Sequence, residues 1–274
     1  MDTNNNWLDD SDLTIDELKM VGLAYQDGSI SLAGRYVFPI RDLGGHLVQI
    51  KGRADPSLGI EPKSLPLRMK PISAPADWRS YSHMNYLYGE ERIQSMSESY
   101  VIIAEGEPDL LTLRSMKLNA LGLQTNNGFA NHAYKLSKFN KIYICLDNDL
   151  ASQRTLLKQL VELQSKLPRS EVFNITLPKL GGDDIKIDIN DYVCKYGKTH
   201  SDFCDLLSQA DSVFDLAISS WGPLYKDNDV FSKLTSLIRT KQGDERRSLI
   251  SKLSIATGKR EELLAFAVDP ASYD

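Results

Sequence analysis

Two short stretches of this 274-residue chain gather carboxylates at the ends of apolar runs. VIIAEGEPDLLTL passes from Val101 into Glu105, Gly106, Glu107 and Asp109, and KIYICLDNDLA passes from Ile142 and Cys145 into Asp147 and Asp149. Glu105, Asp109, Asp147 and Asp149 are therefore the candidate catalytic groups. Like charges held this closely cannot all stay ionised without a cation between them. Hard oxygen donors, with little histidine or thiolate nearby, point to Mg²⁺ or Mn²⁺. Either stretch alone also fits the acidic first turn of a helix. Here both occur, in order, at the expected strand ends.

The elements that would position these acids follow from hydrophobic periodicity. From residue 100, short apolar runs (YVIIAEG, NALGLQT, KIYICLDND, EVFNITLP) alternate with helical patterns (EPDLLTLRSM, a stretch to Phe139, LASQRTLLKQLVELQSKL). This alternation predicts a mainly parallel sheet covered on both faces, with ligands at its carboxyl edge. Upstream, LTIDELKMVGL reads as a short helix capped by Thr14 and ended at Gly22. RYVFPIRDLGGHLVQIKGR reads as a hairpin turning at Asp42–Gly45. Residues 54–80, rich in proline, read as a long connection, and helix is expected to resume near Tyr86. After residue 200 only helices are expected, as in DVFSKLTSLIRT and DERRSLISKLSIATG.

Composition narrows the class. Hydrophobic residues at 42% are enough for one large core or a few small ones. No apolar run approaches the ~18 residues of a membrane span, and the acidic, polar start is unlike a signal peptide, so a cytoplasmic protein is expected. Cys145, Cys194 and Cys204 lack CxxC spacing, so neither a disulfide framework nor a zinc site is expected. The net charge of −5 is uneven: residues 1–20 carry six acids against Lys19, residues 31–80 hold eight Lys/Arg against four acids, and residues 231–260 hold eight against two. Such local basic stretches suit a nucleic-acid partner or a solvated face.

The pair EGEPD and LDNDLA, on a strand–helix framework, resembles the TOPRIM domain shared by bacterial-type primases, type IA and type II topoisomerases and some nucleases. The flanking sequence is similar to one branch. RYVFPIRDLGGHLVQIKGR resembles the strand pair ahead of TOPRIM in bacterial and phage primases, YLYGEERI resembles the motif just before their first TOPRIM strand, and KIDINDYV resembles their later acidic motif. The resemblance covers roughly residues 14–268. The fold it implies is α/β, α+β overall: a TOPRIM-type, mainly parallel sheet with flanking helices, preceded by a small β-containing subdomain and followed by a helical one. The boundaries expected are a disordered acidic leader at 1–13, a basic primase-like subdomain at 14–97, the metal-binding catalytic domain at 98–200 and a helical subdomain at 201–274.

The resemblance implies a DNA primase catalytic core, making short primers on a single-stranded DNA template from nucleoside triphosphates. Glu105, Asp147, Asp149 and Asp188 are then the metal ligands, with Asp109 in support. Arg35, Arg41, Lys51, Arg53 and Lys70 are the nucleotide or nucleic-acid contacts. Tyr36, Tyr86 and Tyr88 are candidates for base stacking, with core packing the expected use of at least two. Several positions depart from the family pattern. Asn190 stands where many cellular members have a second aspartate, SHMNYLYG lacks their upstream lysine, and Ser152 replaces the glycine after DxDxA. Neither a zinc ribbon nor a Walker A motif is present in the sequence, so a replicative helicase or separate recognition protein is the expected partner, as in a phage or mobile element. Two other readings compete: a non-catalytic, primase-like strand-binding or helicase-associated factor, and a TOPRIM nuclease or topoisomerase-like enzyme.

Overall fold

A computed structural model describes residues 35–66, 86–124, 128–146, 150–180, 187–219 and 228–269. The expected helix at 14–22, together with Lys70, Asp147 and Asp149, lies outside them.

Strands β1 (Arg35–Arg41) and β2 (Leu47–Ala54) pair antiparallel as the hairpin signal predicts. The turn is built by Asp42, whose Oδ1 accepts from the Gly44 and His46 amides at 2.8 and 3.0 Å, and by Gly45 at φ 82°. The proline-rich connection contributes a third strand, β3 (Ser64–Pro66), where only loop was expected. Three residues are too few to show alternation, and Pro66 suits an edge strand, which leaves its missing N–H unneeded.

The second sheet has the order β5-β4-β6-β7-β8. Strands β4 (Tyr100–Glu105), β5 (Ala120–Leu123), β6 (Lys141–Cys145) and β7 (Glu171–Asn174) run parallel, and β8 (Asp211–Ser212) is antiparallel at the edge. The expectation of helices alone after residue 200 is thus corrected by β8. Its two residues carry no period, and pairing with β7 creates the strand. Helices follow as α1 (Glu107–Ser115), α2 (Ala133–Leu136), α3 (Leu150–Lys166), α4 (His200–Ser208), α5 (Val213–Ser219), α6 (Asn228–Arg239), α7 (Gly243–Thr257) and α8 (Glu261–Val268). Near Tyr86 the expected helix is replaced by a bridge and a 3₁₀ segment at Glu90–Ser95, because Tyr88 exchanges both backbone hydrogen bonds with Gly122 at 2.7 and 3.0 Å.

The central strands read as continuous apolar runs because both faces are covered. On one face, Val101, Ile103, Ile142 and Ile144 pack with Leu157, Leu160 and Val161 of α3 and with Leu234, Leu253 and Leu264 of the helical tail. On the other, Ile102, Ala104 and Tyr143 pack with Leu110 and Leu113 of α1, with Phe203, and with Phe38 and Ile40 of the hairpin. The two cores therefore join residues from all three expected segments. Among the described residues no helix is long and apolar enough to cross a membrane.

Candidate active site

Opposed residues of an antiparallel pair point to the same face. Lys51 faces Phe38 in the register, Arg53 faces Tyr36, and Phe38 is buried against the five-stranded sheet, so Lys51 and Arg53 stand on the face turned toward that sheet. Opposite them β4 ends at Glu105, and the chain turns through Gly106 (φ 93°, ψ 179°) into α1, whose first turn carries Glu107, Pro108 and Asp109. Between the two lies a cavity of about 290 Å³, lined by Lys51, Arg53 and Lys63 on one side and by Glu105, Glu107, Asp109 and Asp188 on the other, with Gln124 at the end of β5. One wall is cationic and the other anionic.

The walls touch at a single ion pair among the described lining residues. Lys51 Nζ lies 2.8 Å from Glu107 Oε1, with 13% and 2% of the side chains exposed, as an ion contact rather than a directed hydrogen bond. Burial, followed by the Glu107 carboxylate, raises the Tyr88 phenol above its ordinary value, which keeps Tyr88 a neutral core group. Its ring packs edge-to-face on Phe38, with centroids 6.0 Å apart. Asp109 Oδ1 accepts the Asn190 amide at 3.0 Å, and Asn190 Nδ2 donates to Thr112 Oγ1 at 2.9 Å. Asn190 therefore ties the later acidic motif to α1. Asp188 Oδ1 accepts the Asp191 amide at 2.7 Å, capping the π-helical turn Asp191–Lys195.

The structure brings Lys51, Arg53, Glu105, Asp109 and Asp188 to one cavity. It places Arg35 and Arg41 elsewhere: Arg35 Nη1 donates to Pro62 O at 2.6 Å, and Arg41 Nη1 to Gly45 O at 3.2 Å, so each braces a loop of the small sheet. Of the tyrosines, Tyr88 is core, Tyr36 is exposed and donates to Asp55 at 3.2 Å, and Tyr86 lies under the Lys135 ammonium at 5.1 Å. Among the lining residues that were not sequence candidates are Lys63, Glu107 and Gln124. Lys63 sits in a proline-rich run with no period. Glu107 stood in the first carboxylate stretch, and Gln124 ends NALGLQT, so its place at a carboxyl strand edge was the available signal.

Gly122 fixes the approach of these parts. A Cβ there would stand 2.9 Å from the Gly106 carbonyl oxygen and 3.3 Å from Tyr88 Cβ. Gly122→Ala is expected to cost about 1–3 kcal/mol through overpacking, read as a lower denaturant midpoint at unchanged slope.

Among the described residues no three His, Cys, Asp or Glu side chains are close enough to hold a metal ion. The donor set that lines the cavity is nonetheless the hard-oxygen kind that suits Mg²⁺ or Mn²⁺, and it includes the buried Glu107 Oε1, which has no hydrogen-bond partner among the described residues.

The fold is shared with solved DnaG primase catalytic cores. The chain aligns with a solved DnaG catalytic core at a TM-score of 0.64 and 22% identity, covering 90% of this chain and 79% of that one. A DnaG primase catalytic domain bound to single-stranded DNA gives 0.63 at 21% identity, covering 90% and 77%. The zinc-binding and RNA polymerase domains of the Aquifex aeolicus primase give 0.60 at 24% identity, covering 90% and 58%. In sequence, the chain is 31% identical to the DNA primase of Thermotoga maritima over 157 residues, 55% of this chain and 26% of that protein, so it spans about a quarter of that relative's length. No family model matches.

Proposed function

We propose that this protein is a DNA primase catalytic core that carries out nucleotidyl transfer on a single-stranded DNA template, with residues 98–200 as its TOPRIM domain. The observation that carries this reading is the two-walled cavity: cations from the small sheet face carboxylates from the β4–α1 turn, in a fold shared with primase cores. The cationic wall suits triphosphate or template phosphate, which Arg53, Lys63 and Lys51 would hold in place. The opposite wall, with Glu105 and Asp188, suits divalent metal; together with Asp147 and Asp149, which lie outside the described residues, these are the residues that would hold Mg²⁺ or Mn²⁺. The chemistry a metal would supply when held there is neutralisation of the charge developing on the transferring phosphoryl group. Asp109 orients the later acidic motif through Asn190, and Glu107 holds Lys51 at the mouth between the walls. A helicase or a separate recognition protein would then select start sites.

The test is primer synthesis by the purified chain on a panel of single-stranded DNA templates with labelled nucleotides and Mg²⁺ or Mn²⁺. The expected result is metal-dependent oligonucleotides that vanish in an Asp147→Ala/Asp149→Ala control. DNA binding without product on any template would favour the non-catalytic reading.

A further inference from the structure

Gln124 lines this cavity and carries an unusual polar group at its wall. Both atoms of its side-chain amide, Oε1 and Nε2, are buried and lack a hydrogen-bond partner among the described residues. The residue follows β5, whose Leu123 pairs with Glu105, so the amide belongs to the same sheet edge as the carboxylates. Burying an unpaired amide costs about 1–3 kcal/mol, a cost relieved when an occupant supplies the missing partners.

The chemistry of the amide selects the occupant. Phosphate oxygens only accept hydrogen bonds and so would pair Nε2 alone, whereas a metal ion would take Oε1 alone. The charged groups of the cavity already suit both of those, with Lys51, Arg53 and Lys63 for anion and the carboxylates for cation. A hydroxyl both donates and accepts, and a vicinal pair of hydroxyls can serve both amide atoms at once. Base edges offer donors and acceptors too, but a template-directed polymerase must accept every base, so a fixed amide cannot read one. The sugar is the constant part of the substrate. We propose that Gln124 is a specificity-determining residue that engages the ribose hydroxyls of the incoming nucleoside triphosphate and favours ribo- over deoxynucleotides. The inference rests on the primase reading.

The experiment compares the full chain with Gln124→Met, which matches the length and removes both polar atoms, and with Gln124→Glu, which keeps an acceptor. Equilibrium binding of ATP and dATP with Mg²⁺ is measured beside the melting temperature of each variant. The expected result is a wild-type preference for ATP that falls about tenfold or more in Gln124→Met and partly survives in Gln124→Glu. Because methionine removes an unpaired buried amide, Gln124→Met should fold at least as well as the parent. No wild-type preference, no nucleotide binding, or a preference unchanged within about twofold in Gln124→Met would overturn the inference. Primer synthesis assayed in parallel separates the two claims. Absent primers with a Gln124-dependent sugar preference would count against the polymerase alone, and primers with an unchanged preference would count against Gln124 alone.

Discussion

Glu105→Gln is expected to lower primer synthesis by about 10²–10⁴-fold while leaving the thermal transition near that of the parent. Glu105 is the last residue of β4 and only half-buried. Its backbone is held by pairing with Leu123 and by the apolar residues that precede it, and glutamine keeps the length and shape of the side chain, so the fold is expected to persist. The substitution keeps shape and removes charge at a wall where charge is the point. Asp188→Ala makes a useful comparison, because Asp188 also caps the Asp191 turn and its loss should lower stability as well as rate. Single-turnover extension of a pre-formed primer, with circular dichroism melts alongside, checks both. More than a tenth of the parent rate in Glu105→Gln would remove Glu105 from the chemistry.

Lys135→Met is expected to destabilise the protein by about 3–5 kcal/mol, because removing one partner of a buried ion pair strands the other. Lys135 Nζ lies 2.6 Å from Glu90 Oε2, with 3% and 1% of the side chains exposed, and the same oxygen accepts the Leu87 amide at 2.6 Å. The pair pins the YLYGEE segment, whose Tyr88 bridges to Gly122 and so supports the strand that leads to Gln124. Burial raises the Glu90 carboxyl above its ordinary value, against the pull of Lys135 and the Leu87 amide. Removing Lys135 leaves burial less opposed, so the carboxyl should rise further. A folded-state carboxyl raised above its unfolded value gives stability that is present at low pH and lost as pH rises through the folded value. The deficit of Lys135→Met should therefore be smaller near about pH 5 than near about pH 8. Urea titrations at both values check this, and Lys135→Met/Glu90→Gln should recover much of the loss because glutamine is neutral and still accepts from Leu87. A pH-independent deficit would contradict the account.

Two kinds of information separate at this point. The sequence alone determined what is local. Unbroken apolar runs marked the parallel strands, because burial on both faces demands them, and the acids that end the first of those runs, Glu105 and Asp109, marked one wall of the cavity. Asp42 and Gly45 marked the hairpin through turn geometry, and the motif order resembled that of primase cores, whose fold the chain shares. Tertiary structure decided what depends on contacts between distant residues. Which cations enter the cavity follows from strand register: one face carries Lys51 and Arg53, while Arg35 serves Pro62 and Arg41 serves Gly45. Alternating side-chain direction makes equal-looking basic residues differ, and only pairing says which face is inward. Strands as short as β3 and β8 have too few residues to show a period, so long-range pairing alone forms them. The buried pair of Glu90 with Lys135 joins residues 45 apart in sequence. Lys51 with Glu107 joins the small sheet to the first turn of α1. Neither pairing leaves a local signature, because a charge becomes a partner only where folding has removed the water around it.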